Sequence, residues 1–276
     1  KVDFVLGGIS YGGDDGDAVN HGLGEGAKYK GQDAFTFNYT AQFDLNTSFT
    51  GKDLLYTRLK TGNFSKNFYS SDDKNGQSKL ANLSVGNKNG DVIKVDKLWY
   101  QFPLGSSFTA YVGPKIESYY MLGSTPSVYR QILKQFKLGG YYGAYGASTS
   151  PGAGLAWRQQ KDNFFDPRFT VSTSYTASDG DHSCVRPDKN CGGIGSNNSN
   201  ARWQSQIAYG NPQWNISGVY QYAQAGGFKG YKTNSAAPSG YDSVNSFALR
   251  AWWQPKESGW MPSVSTGWGI SNFNAE

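Results

Sequence analysis

The 276-residue sequence contains no run of about 18 apolar residues, so it has no helix that could cross a bilayer. It is also short of charge. Charged residues make up 17% and hydrophobic residues 37%, against about 25% and 45–50% in an ordinary water-soluble domain. Neither the usual aliphatic core nor the usual charged coat is therefore provided for. Histidine is nearly absent: His21 and His182 flank no Cys or Glu at zinc spacing, and Cys184, two residues from His182, brings no further ligands. No G-x-S-x-G motif occurs, and no Ser/His/Asp set is supported, so nothing places a nucleophile beside a base and an enzyme is not expected. The Gly-rich runs lack the GK[ST] of a phosphate cradle, and no cofactor is called for. The net charge of +5 comes without a basic cluster interleaved with stacking aromatics, which argues against nucleic acid. The opening KVDFVLGG has none of the regions of a signal peptide, so the chain is either processed or begins inside a longer one.

What is present is aromatic and alternating. Aromatic residues reach 16%, with 36 glycines, a mixture that suits strands joined by many turns. From Phe35 to Asn46 the alternation is unbroken. Phe35, Phe37, Tyr39, Ala41, Phe43 and Leu45 fall on one side; Thr36, Asn38, Thr40, Gln42, Asp44 and Asn46 fall on the other. Side chains of a strand alternate between faces, so this strand has an apolar face and a wet one. At about 10 residues or more it is long enough to cross a bilayer when tilted. The pattern recurs along the chain and predicts an all-β fold, a transmembrane antiparallel up-and-down β-barrel.

Eleven strands are expected: 2–11, 35–49, 54–64, 92–102, 108–116, 155–160, 169–176, 202–209, 214–223, 244–254 and 263–270. Their connections alternate between short (50–53, 103–107, 161–167, 211–213, 255–261) and long (12–34, 65–91, 117–154, 177–201, 224–243). Short periplasmic turns and long outer loops have this layout. Bacterial barrels have an even number of strands. An odd eleven therefore places closing strands outside this sequence, or a missed pair within it.

A diffusion channel performs no chemistry; its function lies in the width and charge of its narrowest ring. The third long loop, 117–154, is the candidate for folding into the lumen. Within it Ser127–Leu138 reads as a short helix, capped by Ser127 and ended by Gly139–Gly140. It would carry Arg130, Lys134 and Lys137 on one side. That stripe either faces the solute path or is a solvated loop face. Arg58, Lys60, Lys115, Arg158, Arg202 and Arg250 fall in the wet phase of their strands, with Asp44 as acidic counterpart and Glu117 at the loop's start. Lumen placement follows because a charge facing lipid at midplane costs about 2–4 kcal/mol. Converging cations would favour anions. Cys184 and Cys191 either close a short disulfide loop in an oxidising compartment or are free thiols. Asp14, Asp15 and Asp17 either hold Ca²⁺ or form a hydrated acidic loop, the spacing not being that of an EF-hand.

The segment Gln42–Phe64, QFDLNTSFTGKDLLYTRLKTGNF, resembles the cyanobacterial outer-membrane porins, the Som-type branch of the OprB-like, carbohydrate-selective porin family. KLWYQFPLG (Lys97–Gly105), GAGLAWRQ (Gly152–Gln159) and SVSTGWG (Ser263–Gly269) add to the likeness. The resemblance implies a barrel of about sixteen strands, preceded by a surface-layer-homology module and a coiled segment that are not in this sequence. Residues 1–276 would then be barrel alone, without its last strands. It further implies a cell outer membrane, trimeric assembly by analogy with general porins, and passage of inorganic ions, iron included, and small solutes. Anchoring to peptidoglycan-linked polymer would belong to the missing module. Two alternatives compete: a structural outer-membrane protein tethering the envelope to the cell wall with little flux, and a soluble β-sandwich or lectin-like binder.

Overall fold

A computed structural model describes residues 1–8, 35–64, 83–87, 89–139, 143–146, 148–183, 192–228, 240–257 and 259–275. It contains one antiparallel sheet of eleven strands, each paired with its neighbours in sequence. They are β1 (Val2–Gly7), β2 (Thr36–Thr47), β3 (Leu54–Gly62), β4 (Lys94–Leu104), β5 (Phe108–Glu117), β6 (Thr149–Arg158), β7 (Arg168–Ala177), β8 (Ala201–Asn211), β9 (Trp214–Gln224), β10 (Ser243–Trp253) and β11 (Val264–Asn274). Every expected strand is present, and short and long connections alternate as expected. No helix among the described residues is long and apolar enough to cross a membrane.

β1 ends at Gly7 and β11 runs on to Asn274, against the expected 2–11 and 263–270; two further departures have physical reasons. β6 begins at Thr149, where Ser-Pro-Gly-Ala-Gly suggested loop. Its glycines are in the strand because something lies on them. A Cβ on Gly154 would meet Met121 Sδ at 2.8 Å, and one on Gly152 would meet Thr176 Cγ2 at 2.8 Å. The expected helix over Ser127–Leu138 does not form. Residues 127–133 are irregular, and only Lys134–Gly139 winds into a 3-10 turn.

The faces are distributed inside out. On β8, Arg202, Gln204 and Gln206 are buried at 1%, 1% and 2% exposure, while Trp203 is 58% exposed. β9 and β10 repeat this: Asn215, Ser217, Gln221, Ser246 and Arg250 are buried; Ile216, Tyr220, Phe247 and Leu249 are exposed. The outer face is ordered by height. Near the short turns lie Tyr100, Phe102, Phe169, Tyr209 and Trp214, the Phe169 and Tyr209 rings 4.6 Å apart. Toward the long loops lie Phe37, Tyr175, Trp203, Tyr222 and Phe247. Between them runs a row fixed by register, Val171–Ile207–Gly218–Leu249–Trp268.

The sheet is curled round its polar face. Thr40 Oγ1 of β2 donates to Val85 O (2.7 Å), Ser84 N donates to Ile132 O (2.7 Å), and Ser127 Oγ donates to Ser265 Oγ of β11 (3.0 Å). Residues 127 to 132 reach about 17 Å when extended. In a flat sheet, β2 and β11 would stand about 43 Å apart, at about 4.8 Å per strand. The chain between these bonds cannot span that gap, so the strands bend toward one another. β1 and β11, the two ends of the order, are not paired with each other.

The turn at 48–53 is organised by one carboxylate. Asp53 Oδ1 accepts from Ser48 Oγ (2.7 Å), Thr50 N (2.8 Å) and Thr50 Oγ1 (2.7 Å), and Oδ2 accepts from the Tyr100 hydroxyl. The Tyr100 bond, with the Ser48 and Thr50 bonds behind it, holds the Asp53 carboxyl well below the usual carboxylate range. A depressed folded-state pKa contributes stability that is full above the unfolded value, about 3.9, and is lost as pH falls through the folded one. Wild type should therefore be more resistant to urea than Asp53→Asn at pH 7. The gap should narrow steadily below about pH 4. Parallel unfolding curves at every pH would refute this.

Candidate functional site

The loop 118–148 lies on the polar face of the sheet, as its length suggested. Its first turn, Ser118–Met121, buries Met121 against Trp99 and Ile116. Tyr119 and Tyr120 pack edge to face at 4.8 Å, and burial pushes the Tyr119 phenol up. The chain then crosses β7 to β11. Gly123 N donates to Ser172 Oγ (2.9 Å). Ser124 and the Gln206 amide exchange two bonds of 3.0 Å. Trp252 Nε1 donates to Thr125 O (2.8 Å).

The return is fastened to the same face. Arg202 Nη1 donates to Gly146 O (2.6 Å), Gln204 Nε2 to Ala144 O, and Gln221 Nε2 to Gly143 O (3.1 Å). The Arg250 guanidinium stands 5.4 Å from the centroid of the Tyr145 ring, and burial pushes the Tyr145 phenol up. Arg250 can lie there because its cross-strand neighbour is Gly267; a Cβ at that position would come 2.2 Å from Arg250 Nη1. Arg202 and Arg250 are thus on the polar face, as expected, but both serve the loop.

A group of ion pairs on the polar face joins β2 to β5. Arg58 Nε donates to Asp44 Oδ1 (2.9 Å), which also accepts from the Tyr56 hydroxyl (2.5 Å). Asp96 Oδ2 lies 3.8 Å from Arg58 and 3.6 Å from Lys97. Lys97 forms an ion pair of 2.8 Å with Glu117 and a hydrogen bond to Thr149. Arg58, Asp44 and Glu117 were expected here; Asp96 and Lys97 were not. A register shift between Arg58 and Leu59 makes Asp96 an extra residue in β4. That bulge breaks the alternation that would have exposed them.

Lys60 lies on the polar face, opposite Gln42 on one side and Lys94 on the other. Arg158 is on the same face at the short-turn end, opposite the buried Thr170. Lys115 is not on this face. A second bulge, between Gly113 and Ile116, brings Ile116 to the polar side and pairs Lys115 with the outward Leu98. Arg130 is exposed and Lys134 half-buried, and without the helix they form no stripe. The side chain of Lys137 lies outside the described residues, as do Cys184 and Cys191 and the loop with Asp14, Asp15 and Asp17.

No known family profile matches the chain. A curated protein of Synechocystis, itself uncharacterized, is 28% identical to it over 145 residues. The match covers 51% of this chain and 24% of that protein, so the chain spans only about a quarter of its relative. A similarity of this kind carries no activity across.

Proposed function

We propose that this chain is the wall of an outer-membrane porin of the Som-type, OprB-like kind. It forms a water-filled channel for passive diffusion of inorganic ions, iron among them, and small solutes. The observation that carries the reading is the inverted sheet. Its outward face is apolar, with aromatics at two heights and between them a row that is aliphatic at Val171, Ile207 and Leu249 and carries Trp268 on β11, and its enclosed face is polar. Lipid asks for that outer face, with Tyr and Trp at both interfaces. Water does not, because monomeric soluble proteins rarely expose contiguous apolar patches beyond a few hundred Å². In hydrocarbon an open sheet edge leaves backbone groups unsatisfied. Further strands or further protein therefore cover β1 and β11 and complete a barrel, with the short turns on the periplasmic side. Such barrels assemble as trimers.

A second reading has one observation behind it. The loop is bonded across β7 to β11, and a plug held this way would suit a structural envelope protein with little flux. Planar bilayers separate the two. Stepwise conductance is expected of the full chain reconstituted from detergent; silent membranes would favour the structural protein. A monodisperse monomer folding in buffer without detergent would end both readings.

A further inference from the structure

One glycine of the sheet has room around it that the fold does not use. At Gly113, Gly152, Gly154, Gly210 and Gly267 a Cβ would come within 2.8 Å of another atom of the chain, so no side chain fits there. Gly218 differs. It lies in the middle row of the outward face, and a Cβ on it would meet Leu249 Cδ2 at 3.5 Å and Ile207 Cγ2 at 4.0 Å, ordinary van der Waals distances. β9 keeps its register with both neighbours across this position, so no bulge accounts for the glycine. Glycine inside a strand weakens it, and beyond bulges and bends it marks a place where a ligand approaches closely.

Gly218 is the floor of a groove of about 370 Å³. The walls are Val171, Ile207, Tyr220, Phe247, Leu249 and Trp268, which come from the consecutive strands β7 to β11. From β7 to β11 is about 19 Å, at about 4.8 Å per strand. A groove of this volume drawn out over that length is narrow. It has width for one extended hydrocarbon chain, whereas a protruding side chain of another protein would fill only part of it. We infer that this groove binds one acyl chain of a membrane phospholipid. The inference rests on the outward face meeting lipid, as proposed above, and specifies a place on that face where one lipid is held while its neighbours exchange. The walls are apolar side chains and the groove lies between the two aromatic levels, at the height of lipid tails.

The probe is phosphatidylcholine. The full chain is reconstituted into phosphatidylcholine vesicles, extracted into a mild detergent and weighed intact by native mass spectrometry. Wild type should retain one phosphatidylcholine per chain as detergent is raised. Gly218→Leu fills the floor and should weaken retention about tenfold or more, the equivalent of two methylenes kept from their contacts. It should still assemble in vesicles, because the space it enters is open. If it does not assemble, Gly218→Val, a residue suited to strands, gives the same comparison. Val112→Leu, outward on β5 and away from the groove, should retain lipid like wild type. Equal retention in wild type and the Gly218 variants, or none in wild type, would overturn the site. So would a Gly218→Leu protein that keeps its lipid but falls apart into single chains, since the groove would then be a contact between copies. Currents from the same preparation separate this inference from the porin reading. Conductance without retained lipid sinks the groove alone, and retained lipid with silent membranes supports the groove and sinks the porin.

Discussion

Leu249→Arg should abolish assembly of the protein into lipid vesicles, while Leu249→Ile should leave it intact. Leu249 is 60% exposed, and by ordinary surface logic it is among the safer positions to change. If the outer face met water, a charge there would shift stability by no more than about 0.5 kcal/mol. If it meets lipid, the cost depends on height. Leu249 belongs to the middle row, beside Gly218 and Trp268, between the aromatic level of Tyr209 and Trp214 and that of Trp203 and Tyr222. An arginine at that height costs about 2–4 kcal/mol, a large part of the about 5–15 kcal/mol that separates folded from unfolded protein. Protease resistance after reconstitution reads the outcome. A fully protected Leu249→Arg protein would remove the main support for a membrane face, whatever the channel measurements gave.

Alternation was legible wherever strands kept their register. Phe35–Asn46 announced β2 almost to the residue, and the recurring alternation along β8, β9 and β10 matches the observed burial. The reason is the period of two, which survives any arrangement of the rest of the molecule. Bulges defeat it. A single extra residue at 114–115 turned Lys115 outward, and another at Asp96 hid the ion-pair network of Arg58, Lys97 and Glu117. Sequence periodicity carries no mark of an insertion that only the neighbouring strand can reveal. The glycines of β6 misled in a related way. They resemble a loop, yet they are the vacant places into which Met121 and Thr176 pack.

The loop was legible in length and in destination, but not in conformation. An isolated helix of about twelve residues is marginal by itself, and here its backbone groups have better partners. Ser127, the expected cap, does take the Tyr129 N–H (3.1 Å), but its own hydroxyl goes to Ser265 on β11. The carbonyls of Ser124 and Thr125, just ahead of it, are taken by Gln206 and Trp252. The polar face of the sheet therefore dictates the path of the loop. Gln204, Gln206 and Gln221 fall in the polar phase of their strands, in step with Arg202 and Asn215. Nothing local in the sequence said that their amides would hold the main chain of residues some 60 to 80 positions earlier.

That fastening makes a second large effect testable. Arg202→Ala combined with Gln221→Ala should release the loop while leaving the strands in place. The two side chains donate to Gly146 O and Gly143 O from fully buried positions. A charged bond contributes about 1.5–3 kcal/mol and a neutral one about 1, so the docked form should lose on the order of 3 kcal/mol, or about a hundredfold in population. Once undocked, the freed carbonyls meet water and the smaller side chains leave room along β8 and β9. Limited proteolysis should then cut within 118–148, with the strand ladder still protected. In bilayers the single-channel conductance should rise several-fold, because the loop no longer narrows the polar face. Cutting without any change in conductance would mean that ions pass elsewhere, on the side of β2 to β4. Resistance to cutting would mean that Ser172, Gln206 and Trp252, on the outgoing limb of the loop, are enough to hold it.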